Sequence, residues 1–109
     1  MAIQFKNNAA TTLASPIGEG ALSLSVATGT GSLFPTLGVG DYFYCTLIDN
    51  SAQKEIVKVT ARATDTFTIV RAQEGTSALS FVAGNGVELR LTTQGIEDKF
   101  DELDRKSVV

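Results

Sequence analysis

Glu55, Glu74 and Glu88 are the carboxylates of the β-rich part of this chain that could do acid–base work, because strands bring distant residues together. Nothing in their spacing pairs them. Each reads more simply as an exposed polar residue of its strand or loop. The remaining catalytic kit is thin: there is no histidine, and the only cysteine, Cys45, lies between Tyr44 and Thr46 in an apolar run. A lone cysteine in such a setting is a small buried hydrophobe before it is a reactive thiol. A metal site built on nitrogen and sulfur needs a His or Cys cluster, which the chain lacks. An oxygen-ligand calcium loop needs acids at alternating positions, and Asp49-Asn50-Ser51 offers one carboxylate with no matching pattern downstream. The glycine pairs Gly29-Thr30-Gly31 and Gly38-Val39-Gly40 resemble fragments of a phosphate loop. Neither continues to a third glycine at the right spacing or to Lys-Ser or Lys-Thr before a helix, so both read as turns. No enzyme, cofactor or metal is expected.

The 109 residues suit one domain, with 43% hydrophobic and 19% charged residues, the composition of an ordinary globular chain. A chain of that size buries roughly two-thirds of its unfolded surface, enough for one core. Net charge is −3 and there is no basic run, so nucleic acid is not an expected partner. No stretch approaches the roughly 18 apolar residues of a membrane span, so no membrane is expected either. Met1 to Ser15 lacks a basic start followed by an apolar stretch, and no export signal is read there.

The elements that would position these residues are mostly strands. Ile3 and Phe5 alternate with polar neighbours and can make a short strand, after which Asn7 to Gly20 reads as an irregular arm, poor in apolar residues to pack on its own chain. It is a surface loop or an arm laid across a neighbour. Leu22, Leu24 and Val26 face one way in a strand. Thr28 to Gly40 is a glycine-rich connection pinned to the core by Leu33, Phe34 and Leu37. Tyr42 to Ile48 is an unbroken apolar run, as in a strand covered on both faces. Val57, Val59 and Ala61 form the inward set of the next strand, and Phe67 and Ile69 that of the one after. Short turns at Asp49-Asn50-Ser51 and Thr64-Asp65 make these three an antiparallel meander. Ala72 to Gly86 is a second long connection with tight-turn chemistry at Asn85-Gly86, and Gly86 to Thr92 is the final strand. The expected fold is mainly β, an antiparallel β-sandwich or small barrel with one short C-terminal α-helix. Its divisions are an N-terminal arm over 1–20, a β domain over 21–92 and an amphipathic helix over 93–106.

Thr93 can cap that helix, with Glu97 and Asp98 near its positive end and Arg105 and Lys106 near its negative end. Ile96, Phe100 and Leu103 form a stripe about 60° wide, which in heptad terms is a d-a-d seam. A helix this short must dock on something. Two arrangements fit: docking on its own β core, or a bundle with copies of itself through Ile96, Phe100 and Leu103. The acids between Glu97 and Asp104 read as a solvated face, or else as a docking face for a basic partner.

Several stretches, in their order and spacing, resemble the small β module of virion structural proteins in tailed bacteriophages, often found at the N-terminal end of tail-fibre or minor tail proteins. They are Asn7-Asn8-Ala9-Ala10-Thr11-Thr12-Leu13-Ala14, Phe34-Pro35, Gly40-Asp41-Tyr42-Phe43 with Thr46-Leu47, and Glu55 to Arg62. Phe67 to Thr76 with Ala78 and Phe81, and Val87-Glu88-Leu89-Arg90, complete the set. The resemblance spans roughly Asn7 to Ile96. It implies a non-catalytic particle component, assembled in the host bacterial cytoplasm as a homo-oligomer, a trimer by preference, with other virion proteins as partners. The chain ends soon after the helix, with no receptor-binding part. That points away from fibre and host-receptor recognition and favours a stand-alone adaptor, collar or decoration piece. The function expected is a tail-fibre, collar or adaptor component, with a head decoration protein as the alternative. A carbohydrate-binding β module is the remoter alternative, and would use Tyr42 and Tyr44 on one strand face.

Overall fold

A computed structural model describes residues 3–4, 6, 9–90 and 95–101. Among these, six strands form one antiparallel sheet: β1 (Ala10–Thr12), β2 (Ser23–Ser25), β3 (Phe43–Ile48), β4 (Lys54–Ala63), β5 (Thr66–Gln73) and β6 (Gly86–Glu88). Their order in space is β1-β6-β3-β4-β5-β2, so the β3–β4–β5 meander is the centre and the N-terminal strands are the edges. The sheet curls into a half-barrel. Its two edges are drawn together at one point, where Leu13 bridges Val26 and the N–H groups of Ala14 and Ala27 donate to the carbonyls of Ser25 and Thr12. One α-helix, α1 (95–101), follows the sheet.

The curl comes from two irregularities in the β4–β5 ladder. Between Lys58↔Val70 and Ile56↔Gln73, β5 carries an extra residue, and Ala72 takes the left-handed φ of 54°. Between Val59↔Ile69 and Ala61↔Thr68 the extra residue is on β4. Each bulge bends and twists its strand, which a flat ladder cannot do. The second also reverses the phase of β4: Ala61 turns outward rather than inward as its alternation predicts, and Arg62 becomes partly buried in its place. Arg62 then ties down the first long connection, donating to the carbonyl oxygens of Pro35 and Thr64 and to Thr36 Oγ1.

Inside the curl three phenylalanines pack together. Phe34 lies 5.0 Å from Phe67 and 5.8 Å from Phe43, ring centre to ring centre, and Phe43 lies 5.7 Å from Phe67, nearly perpendicular. All three are completely buried, with Cys45, Leu47, Val57, Val59 and Val87 around them. β3 is covered on both faces as its apolar run predicts: Phe43, Cys45 and Leu47 point in, while Tyr44 and Thr46 are buried on the outer side.

The N-terminal arm departs most from expectation. Its residues 9–17 are part of the barrel, not a loose loop: Ala9, Leu13 and Ile17 are core residues. β1 pairs with β6, and Ile17 exchanges backbone hydrogen bonds with Phe81. The arm holds few apolar residues, but Ala9, Leu13 and Ile17 recur every fourth position and all three join the core. Leu24 and Val26 are buried as their alternation predicts, whereas Leu22 and Leu33 lie at the rim and are exposed. The last strand is the three residues of β6, and Leu91 to Thr92 of its expected course lie outside the described residues. At Asn85-Gly86 the left-handed residue is Gly84 (φ 92°); Asn85 is buried, and its Oδ1 accepts the N–H of Val82. Ile3 bridges Tyr42 in parallel, while Phe5 lies outside the described residues.

Candidate functional site

The surface that could act lies where α1 meets the outer face of β3. Alternation along β3 puts Tyr42 and Tyr44 on the same side. The neighbouring ladder sets Lys58 opposite Tyr44, and the Lys58 ammonium sits 4.4 Å from the Tyr42 ring centre. Both phenols donate to one oxygen of Asp98 on α1: Tyr42 Oη to Oδ2 at 2.6 Å and Tyr44 Oη to Oδ2 at 3.1 Å. The two rings pack edge to face at 5.7 Å. Burial, the hydrogen bond to Asp98 and the negative charges of Asp98 and Glu74 push the Tyr44 phenol up to about 12 from its ordinary 10.0.

The sign of that shift gives a test. The folded chain holds the Tyr44 proton more tightly than the unfolded chain. Its contribution to stability is therefore fully present below pH 10 and lost as pH rises through about 12. The tyrosinate absorbance assigned to Tyr44, by subtraction of a Tyr44→Phe chain, is expected to have its midpoint near 12. A midpoint at the ordinary value would refute the link to Asp98.

Turning Asp98 toward the sheet fixes what the rest of α1 presents. Ile96 and Phe100 lie two residues either side of it, about 160° around the helix. Phe100 is 65% exposed, whereas Ile96 is 37% exposed and so mostly covered by its own chain. Ile96 thus packs in part on its own chain while Phe100 does not, and the Asp98 contact adds a polar tie between the helix and the sheet. Leu103, the third residue of the stripe, and Thr93, the expected cap, lie outside the described residues.

The scattered carboxylates do not gather into an acid–base pair. Glu55, read as an exposed residue of its strand, is completely buried. Its Oε1 accepts Arg71 Nη2 and the Leu79 N–H, and its Oε2 accepts Arg71 Nε and the Ala72 N–H, at 2.8–2.9 Å. Arg71 spends its other donors on the carbonyl oxygens of Gly18, Ala21 and Leu79. Burial is the largest single influence on the Glu55 carboxyl and pushes it up. The Arg71 guanidinium and the two backbone N–H groups together outweigh burial and hold it below the usual value. A carboxylate with every lone pair engaged fastens the fold and has no capacity left to move protons. Both residues were findable in the sequence: Glu55 precedes Val57 and Val59 in the same phase, as Arg71 follows Phe67 and Ile69. Glu88 is partly exposed and pairs with Arg90 at 3.1 Å.

Cys45 is completely buried, and burial pushes its thiol well up. It is expected to resist a thiol reagent in the folded chain and to react fully in denaturant; rapid modification without unfolding would contradict the core assignment. The Gly29-Thr30-Gly31 pair holds a carboxylate from its own chain, since Asp65 accepts both glycine N–H groups. Among the described residues no group of three or more His, Cys, Asp or Glu could hold a metal ion, and no helix is long and apolar enough to cross a membrane. No protein-family model matches the chain, and no curated protein matches it at a significant level.

Proposed function

We propose that this chain is a non-enzymatic structural protein of a tailed-bacteriophage particle, an oligomeric tail-fibre, collar or adaptor component that assembles with copies of itself, by preference three, and with other virion proteins. The observation that carries the reading is α1. Its Asp98 face is fastened to the barrel while Phe100 is 65% exposed beside a partly covered Ile96, which supports an assembly surface rather than a pocket. The carboxylates support the same reading, because Glu55 is consumed by Arg71 and offers no acid or base. Tyr42 and Tyr44 speak against the carbohydrate alternative: Lys58 sits over one ring, Asp98 takes both hydroxyls and Tyr44 is buried, so no open stacking face is presented.

The test is the copy number of the protein in purified particles, by quantitative mass spectrometry against the major capsid protein. A ratio of a few per cent is expected for a neck, tail or fibre component. A ratio near one copy per capsid subunit, or a simple fraction of it, would replace this reading with a head decoration protein. Absence from the particle would overturn it. Self-assembly is tested separately: Phe100→Asp with Leu103→Asp is expected to reduce the oligomer to a monomer, and an unchanged mass in light scattering would remove the seam.

A further inference from the structure

We propose that Asn85–Gly86 is a modification site that the fold keeps closed. When β6 opens, the asparagine loses ammonia through a cyclic imide, and the isoaspartate formed there shuts the chain out of the barrel. Asparagine followed by glycine is the pair that does this most readily, because no side chain hinders the attacking nitrogen. The pair stands at the start of β6.

In the reaction the Gly86 nitrogen attacks Asn85 Cγ. An N–C bond forms, the Cγ–Nδ2 bond breaks, and ammonia leaves with the proton given up by the Gly86 nitrogen. Water then opens the imide at either carbonyl, giving aspartate or isoaspartate. The folded chain withholds both reacting groups. Asn85 is 3% exposed, and its Oδ1 accepts the Val82 N–H at 2.8 Å. Its own N–H donates to the Val82 carbonyl, and its carbonyl accepts the Leu13 N–H. Gly86 is paired on both sides, with Thr12 of β1 and with Ile48 of β3. Ring closure would have to swing Cγ away from Val82 and draw Gly86 out of the sheet at the same time.

The product is what makes the step one-way. Isoaspartate routes the main chain through its own β-carbon and lengthens the backbone at the entrance to β6. The pairs Gly86↔Ile48, Val87↔Leu47 and Glu88↔Thr46 would all be displaced along β3. Val87 is completely buried, so the displacement withdraws a core side chain. The aspartate product keeps the backbone but brings a charge to the buried position of Asn85. Aspartate strains the barrel; isoaspartate excludes the chain from it.

The experiment incubates the full chain in mildly alkaline buffer, folded and in urea, and follows the tryptic peptide 72–90 by mass spectrometry. Asn85 is the only asparagine in that peptide. Conversion at Asn85 is expected to be about a hundredfold or more slower in the folded chain, as for groups exposed only when a paired strand opens. A smaller factor would overturn the closed site, and no conversion in urea would overturn its reactivity. Gly86→Ala tests the route. Its methyl group would meet Glu88 Oε2 at 3.6 Å and Ile48 at 3.9 Å, ordinary contacts, so the barrel is expected to form. In urea, where folding plays no part, conversion should be largely lost in this variant; conversion equal to wild type would rule out the imide. Chains carrying isoaspartate at position 85 are then separated and taken out of urea beside unconverted chains. They are expected to lose the wild-type melting transition, and its full recovery would overturn the one-way role.

Discussion

Arg71→Met is expected to cost about 3–5 kcal/mol of folding stability, the usual consequence of removing one member of a buried ion pair. The geometry puts this pair at the severe end. Glu55 is completely buried and the Arg71 side chain is 8% exposed, so neither charge can turn to water when its partner is lost. The pair also serves as a junction: the Arg71 guanidinium holds the carbonyl oxygens of Gly18, Ala21 and Leu79, and the Glu55 carboxylate holds the N–H groups of Ala72 and Leu79. Buried ion pairs elsewhere can be exchanged for apolar residues at little cost. Here Glu55→Leu with Arg71→Met would leave the Ala21 and Leu79 carbonyls and the Ala72 and Leu79 N–H groups without these partners, the Gly18 carbonyl keeping the Ala21 N–H; a buried group left unmade costs about 1–3 kcal/mol. The double variant should therefore stay destabilised. Urea unfolding checks both, and recovery of wild-type stability in the double variant would refute the junction.

The same pair sets the response to acid. Because the folded Glu55 carboxyl is held below the ordinary 4.5, the folded chain binds its proton less readily than the unfolded chain. The stability it supplies is complete above pH 4.5 and is lost as pH falls through the folded value. In Glu55→Gln that part of the acid dependence should vanish. An identical acid profile for the two chains would show that other carboxylates dominate.

Gly31→Ala is expected to cost about 3 kcal/mol or more, through overpacking that the backbone cannot relieve. A Cβ at position 31 would stand 1.9 Å from the Thr64 carbonyl oxygen and 2.9 Å from Asp65 Oδ1, so the short 3₁₀ turn Gly31–Leu33 and the β4–β5 hairpin would have to separate. Phe34, at the centre of the aromatic cluster, follows that turn directly and would shift with it. Gly29 is the control. It has a φ of 82° but no neighbour within 4 Å of a Cβ, so Gly29→Ala meets only the left-handed backbone penalty of about 1–2 kcal/mol. Thermal melts of the two variants should differ clearly, and equal losses would mean that the close approach is relieved in solution. Both glycines read in sequence as turn residues; the crowding at one of them depends on a hairpin some thirty positions along the chain.

How far the sequence can be read is clearest where it misleads. The meander of β3, β4 and β5 follows from alternation and two short turns, and it forms as expected. Alternation fails at Ala61 because a bulge inserts one residue into β4, which no local pattern announces. It fails in a different way at Glu55, where the inward phase is legible but a charge invites an outward reading. Arg71, sixteen residues away, together with the Ala72 and Leu79 N–H groups makes the inward position tolerable. The arm 9–17 reads as irregular because its three core residues are sparse; their burial depends on strands that are distant in sequence.

By itself the amino-acid sequence determined the class of fold, the central meander, the doubly covered β3, the placing of Tyr42 and Tyr44 on one face and the stripe of Ile96 and Phe100. These are properties of period and of residue type within a few positions, and local sterics and hydropathy suffice to set them. Tertiary structure alone decided that the sheet curls and draws β1 to β2, that Glu55 and Arg71 close a buried junction, and that Tyr42 and Tyr44 meet Asp98 of α1. Each of those joins groups far apart in the chain, and their energies arise only when burial removes water from both partners at once.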